Sequence, residues 1–173
     1  CPFCQKAEFE VMGELDRLYV ATGKVQLAFL HRPLTKLHPN AEKAAEAAAC
    51  AGSQGKFWEM HAALFADQNR LDAASLFERA RAISLDEAGF TACLSERMSA
   101  KVSADAERAE KLGLRGTPAF LVGGRQPDGR VKVATVIEGA KPLARFTIPI
   151  EAALERGKQD IRVQTAQNSG GMK

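Results

Sequence analysis

The sequence predicts an α/β fold in which a helical insertion interrupts a sheet-bearing core. Three observations point there. An amphipathic helix opens the chain and is followed by a short apolar run. A long stretch of helix-favouring segments comes next. Two strand-like runs around a Pro-Asp-Gly turn then precede a last helix. At 173 residues, 46% of them hydrophobic, the chain is long enough for one domain or for a core carrying one insertion.

Taken in order, Pro2 to Thr22 places Phe3, Ala7, Val11, Leu15, Leu18 and Tyr19 on one helical stripe, and Gly23 is set to end it. "KVQLAFL" (24–30) is mostly apolar, with β-branched and aromatic members, and reads as a buried strand. "HRPLTKLHPN" is a loop with two prolines. Asn40 introduces the alanine- and glutamate-rich "AEKAAEAAACA", which "GSQG" interrupts. "KFWEMHAALFADQ" follows as a helix, Asp72 is placed to cap "AASLFERARAI", and Asp86 to cap "EAGFTACLSERM". Ser99 to Leu112 is one more helix, closed by Gly113. "TPAFLVGGRQPDGRVKVATVIEG" gives a hairpin in which Gly123, Gly124 and the Pro-Asp-Gly are turn chemistry. Thr147 or Pro149 starts a last helix through "IEAALERG". The expected division is a core of residues 1–38 and 99–157, an insertion of 39–98, and a polar, flexible tail of 158–173.

Composition narrows the function classes. The 24 basic and 21 acidic residues, net +3, are scattered and form no basic stripe with interleaved aromatics, so nucleic acid is not an expected partner. No apolar run reaches the roughly 18 to 20 residues that cross a bilayer. A cleaved leader would lie upstream of Cys1 and outside the sequence.

The chemistry sits in "CPFC" at the head of the first helix. Cys1 falls at the N-cap, and Pro2 takes the first-turn position, where its missing N–H costs nothing. The unpaired N–H groups and the dipole of that helix end stabilise a thiolate at Cys1, making it the attacking sulfur. Cys4, one turn further, can attack the resulting mixed disulfide and release the product. Half a zinc site, a structural disulfide and chance are the other readings of a CxxC. Zinc normally wants a second close pair, whereas Cys50 and Cys93 stand apart, so no metal is expected. A lipidated cysteine would be followed by a polar tether, and here a helix follows. "RGTPAF" adds a Thr-Pro step at a strand start. There Pro118 is either an ordinary trans proline or the one common kind of cis linkage.

Together, the CPFC at a helix start, the helical stretch after the next strand, the Thr-Pro before the hairpin and "GKFWEMHAALF" resemble the DsbA-like branch of the thioredoxin superfamily, from Cys1 to about Leu154. The resemblance implies a thioredoxin-like fold with an α-helical insertion, and a disulfide oxidoreductase that needs no cofactor. Its nucleophile would be Cys1 and its resolving thiol Cys4. Phe3, Gly116, Thr117 and a cis Pro118 would form the surface that meets substrate. There the Thr117 backbone can pair with an extended segment while the proline withholds an N–H. It also implies protein thiols or disulfides as substrates, a membrane redox partner for recycling, and a bacterial cell envelope, periplasmic or extracytoplasmic. In this family a central strand leads into the CxxC, so the expectation is that the sequence starts mid-fold. Cys50 and Cys93 are either two small buried hydrophobes or a structural disulfide of the kind some DsbA-like proteins carry. The even cysteine count favours the disulfide.

Phe3 offers no charge to the thiolate, unlike a histidine in its place, which predicts a less oxidising pair. His31, His38 and His61 form no metal or triad spacing and read as structural or solvated; Phe57, Trp58 and Phe65 read as core, with part of the set able to face the groove. Two function classes stay open. One is an enzyme of dithiol exchange, whether oxidant, isomerase or reductase. The other is a chaperone-like binding module with a specialised partner.

Overall fold

A computed structural model describes residues 1–96 and 98–169. Helix α1 runs in α-helical turns over Pro2–Ala7, widens to π-type turns over Glu8–Met12, returns to α over Gly13–Leu15 and widens again over Asp16–Val20. Five helices follow: α2 (Ala41–Ser53), α3 (Phe57–Ala66), α4 (Ala73–Ala82), α5 (Glu87–Glu96) and α6 (Met98–Lys111). Strands β1 (Ala119–Arg125) and β2 (Val131–Glu138) pair antiparallel, and α7 (Ala144–Ser169) comes last. The chain forms two compact units. One comprises Ala28–Arg115 together with Cys1, the other Pro2–Leu27 and the chain from Gly116 onward.

In the second unit the mixed turns of α1 have a sequence reason. Its buried residues, Ala7, Val11, Leu15 and Tyr19, recur every four positions. In a uniform α-helix of 3.6 residues per turn each such step overshoots by roughly 40°, so the stripe would spiral off the core. The wider turns absorb that drift. Val11, Leu15 and Tyr19 then share one core with Ile137 of β2 and with Phe146 and Ile150 of α7. Phe120 of β1 meets Phe146 edge-on, with centroids 4.8 Å apart. Gly123 sits at a bulge in β1. A Cβ there would stand 2.3 Å from the Lys132 carbonyl oxygen, so only glycine lets the strands close. This pair of glycines is therefore strand rather than turn. The turn itself is the Pro-Asp-Gly, where Gly129 has φ +82 and the Gln126 N–H donates to the Arg130 carbonyl at 2.7 Å.

The first unit is built around α2. Its run of Ala47, Ala48, Ala49, Cys50 and Ala51 is buried. These short side chains let α3, α5 and α6 approach its backbone closely. Met60, Leu64, Leu76, Ala80, Leu85 and Phe90 complete this core, the largest of them contributing about 2 kcal/mol each by burial. The predicted caps form. The Asp72 carboxylate accepts the Ser75 N–H at 3.1 Å and its hydroxyl at 2.7 Å, and the Asp86 carboxylate accepts the Gly89 N–H at 2.6 Å. Cys50 and Cys93 are disulfide-bonded, tying α2 to α5 with Cα atoms 5.8 Å apart.

Three further expectations need correction. Residues 24–30 form no strand and are not buried: their exposure alternates, but a strand is defined by its ladder, and among the described residues β1 and β2 pair only with each other. The last helix starts at Ala144, ahead of both predicted starts. The Phe146 and Thr147 N–H groups donate to the Leu143 carbonyl, and Pro149 lies inside the helix. That helix also continues to Ser169 through the segment expected to be a tail from Lys158. Lys, Gln, Arg and Ala in that stretch are good helix formers, and the Lys158 ammonium pairs with Glu155 at 2.6 Å. Residues 170–173 of that expected tail lie outside the described residues.

Candidate functional site

In the second unit, α1 opens at Pro2 and presents Phe3, 63% exposed, in its first turn with Cys4 one step beyond. Cys1 immediately precedes the helix. Neither cysteine is in a disulfide, and both are of intermediate exposure. Cys4 hydrogen-bonds with the Thr117 side chain. Burial pushes the Cys4 thiol up from its ordinary value, and the Thr117 hydrogen bond acts against that rise by favouring the thiolate.

Thr117 owes its position to the hairpin. The Thr117–Pro118 peptide bond is cis. The Pro118 carbonyl accepts the Gly139 N–H at 2.8 Å, one step past the end of the β1–β2 ladder, and Gly139 takes φ +80 to make that closure. Gly116 before it is exposed, with open space where a side chain would begin. The structure thus joins Cys4 to Thr117, which lie 113 positions apart in sequence, and holds Pro118 at the head of β1. A thiol that is partly desolvated yet hydrogen-bonded can serve as leaving group or as attacking group in disulfide exchange.

The first unit holds a cluster that the sequence reading assigned to plain packing. Phe29, Phe57, Trp58 and His61 pack mutually with ring centroids 5.0 to 6.4 Å apart. His31 joins through Phe29 and Phe57, and Phe65 through His61. The spacing 57, 58, 61 on a helix and 29, 31 on an extended segment was the signal available for it. Both His31 and His61 are buried. Desolvation pulls the His61 pKa down to about 4, assisted by His31, and it lowers His31 as well, although Asp105 opposes this. The Asp105 carboxylate accepts the His31 backbone N–H at 3.4 Å.

Comparison with known proteins gives the family and the fold. The family model described as Thioredoxin matches residues 1–138. Among solved structures, a single-site variant of alpha-DsbA1 from Wolbachia pipientis superposes with a TM-score of 0.79 at 23% identity, over 93% of this chain and 84% of that one. A thioredoxin-like oxidoreductase from Silicibacter pomeroyi gives a TM-score of 0.70 at 25% identity, over 90% of this chain and 81% of that one. A Na(+)/H(+) antiporter NhaA 3 from Salinispora tropica is 40% identical over 130 residues, which is 75% of this chain and 19% of the antiporter. The chain therefore spans about a fifth of the length of the curated relatives it matches. None of the described helices is long and apolar enough to cross a membrane.

Proposed function

We propose, since this chain belongs to the thioredoxin family, that it carries out thiol-disulfide exchange on protein substrates, working chiefly in the direction of disulfide formation. The observation that carries this reading is the Cys4 thiol hydrogen-bonded to Thr117 beside the cis Thr117–Pro118 bond, in the first turn of the helix that Cys1 precedes.

In the oxidising direction a substrate thiolate attacks Cys1 Sγ of the Cys1–Cys4 disulfide. The Cys1–Cys4 bond breaks, and Cys4 leaves as a thiolate that takes a proton from solvent. A second substrate thiolate then attacks the substrate sulfur of the mixed disulfide, releasing Cys1. Two electrons pass from the substrate thiols to the Cys1–Cys4 pair, and the substrate gains one disulfide. Burial makes Cys4 a poorer leaving group, and the Thr117 hydrogen bond offsets part of that cost. The helix end at Pro2 supplies N–H groups toward the Cys1 thiolate. Phe3 and Gly116 are both exposed, which leaves them free to meet a substrate segment that would pair with the Thr117 backbone. Recycling calls for a membrane redox partner, and the setting consistent with this chemistry is the bacterial cell envelope.

The reading is tested by equilibrating the Cys1–Cys4 pair with glutathione and counting thiols by alkylation and mass. Full cycling at an oxidising potential, lost in Cys1→Ser, is the expected result. A strongly reducing potential would turn the proposal toward a reductase or isomerase. A pair that never cycles would overturn it. The likeness to antiporters over a fifth of their length favours one second reading: a module with a specialised partner in a larger protein.

A further inference from the structure

Within the first unit, Phe29, His31, Ala49, Gly52, Ser53, Phe57, Trp58, Met98 and Lys101 line a groove of about 450 Å³. That volume lies in the range of real ligand sites. Its rim aromatics are not covered: Trp58 keeps 45% and Phe29 43% of their surfaces exposed. Their rings stand at right angles, 6.4 Å apart, and Phe57 closes the corner behind them at 5.2 Å from Phe29 and 5.0 Å from Trp58. The result is an apolar notch with two walls. Gly52 lies beside Phe57, where a Cβ would stand in ordinary contact with that side chain at 3.4 Å.

One charged side chain reaches the groove. Lys101 is the sole charged side chain among the lining residues, and its side chain is 56% exposed. Asp105, one turn further along the same helix, forms an ion pair with it at 3.8 Å, is 12% exposed and also accepts the His31 backbone N–H, so the lysine keeps a half-exposed ammonium beside the groove. His31 is held neutral at pH 7 by burial and adds no charge.

We propose that this groove docks a polypeptide segment in which an aromatic or large aliphatic side chain is flanked by a carboxylate. The side chain would fill the notch between Phe29, Phe57 and Trp58, and the carboxylate would meet Lys101. A chain passing through fits better than a small molecule, because both walls, Phe29 and Trp58, stay partly exposed to solvent, whereas small ligands are mostly engulfed. The inference rests on the proposed action on protein substrates and names the sequence class of those substrates.

Trp58 is the only tryptophan of the chain, so its emission reports this groove alone. The test titrates full-length protein with a cysteine-free, end-blocked peptide carrying Phe between two Glu, and with its Lys-flanked analogue. Trp58 emission and the anisotropy of a labelled peptide are both followed. The expected result is saturable binding with a preference of roughly three- to fivefold for the Glu-flanked peptide, reversed in Lys101→Glu and weakened by salt. Binding of neither peptide by either readout, equal binding of both, or a preference untouched by Lys101→Glu would overturn it. So would an emission change on concentrating the protein alone, which would assign the groove to a second copy of the chain. Cys1→Ser should bind the peptides unchanged while losing exchange activity. Failure of docking and failure of the redox reading are thereby separable.

Discussion

At the scale of single residues, Cys4 carries opposing influences that can be separated. Its burial raises the thiol and Thr117 lowers it. Thr117→Val removes the hydrogen bond while keeping the volume, so Cys4 should titrate higher, and the reduced pair, having lost a stabilised thiolate, should become more reducing. Thiolate absorbance against pH and a glutathione equilibrium check the two halves. Phe3 is exposed and uncharged beside the pair. Phe3→His should move the potential the other way, toward a stronger oxidant, since an imidazolium stabilises the Cys1 thiolate. The buried histidines set the response to acid. The His61 pKa is about 4 in the folded chain, below the ordinary value of about 6.5 that it regains on unfolding. The unfolded state therefore binds the extra proton first. Stability is fully present above about pH 6.5 and is lost as pH falls toward 4, with no further loss from this group below that. His31 adds in the same direction. Urea denaturation at several pH values should show this fall, and His61→Phe should flatten it.

At the scale of elements, the hairpin and the α2–α5 tie give two sharp tests. Gly123→Ala would drive a Cβ against the Lys132 carbonyl, whereas the space at Gly124 is open. The first substitution should cost about 2 kcal/mol and the second well under that, by chemical denaturation. Removing the disulfide by Cys50→Ala with Cys93→Ala frees a loop with a sequence separation of 43 and should cost roughly 3 kcal/mol. Local signals explain why so much of the element order was readable: the alanine run of α2, Asp72 and Asp86 at their helix starts, and Gly129 in its turn are each decided within a few residues. Residues 24–30 failed for the opposite reason. Their apolar pattern states a preference for β structure, but pairing depends on a partner elsewhere in the chain. The π-type turns of α1 were hidden likewise. A four-residue repeat is compatible with any helix until the core it must face is known. The site was legible in its parts, since CPFC and Thr-Pro are short motifs, but the Cys4–Thr117 hydrogen bond is tertiary. Phe57 packs against the core as expected, but the exposure of Trp58 and Phe29 was not legible, because both are residue types of a core and exposure cannot be read from type.

At the scale of the whole molecule, the four cysteines divide into two chemically distinct pairs, and that division is the most direct check on how sequence, fold and function connect. Cys50 is fully buried in the core of the first unit and bonded to Cys93, which is partly buried against that core, so an attacking thiolate reaches Cys50 only when the helices around α2 open. Cys1 and Cys4 are partly exposed thiols at the start of α1. Exchange rate follows access to the sulfur as well as thiolate fraction. Mild reductant on the native, air-oxidised protein, followed by alkylation and peptide mapping, should therefore label Cys1 and Cys4 and leave Cys50 and Cys93 unlabelled. Denaturant added with the same reductant should label all four. Labelling of Cys50 and Cys93 alongside the other pair under native conditions would mean that the disulfide takes part in the redox cycle instead of bracing the helical unit. Cys1→Ser with Cys4→Ser should leave the Cys50–Cys93 labelling pattern and the denaturation midpoint nearly unchanged. Cys1 and Cys4 lie outside both buried cores, whereas the Cys50–Cys93 disulfide joins two helices of the first unit.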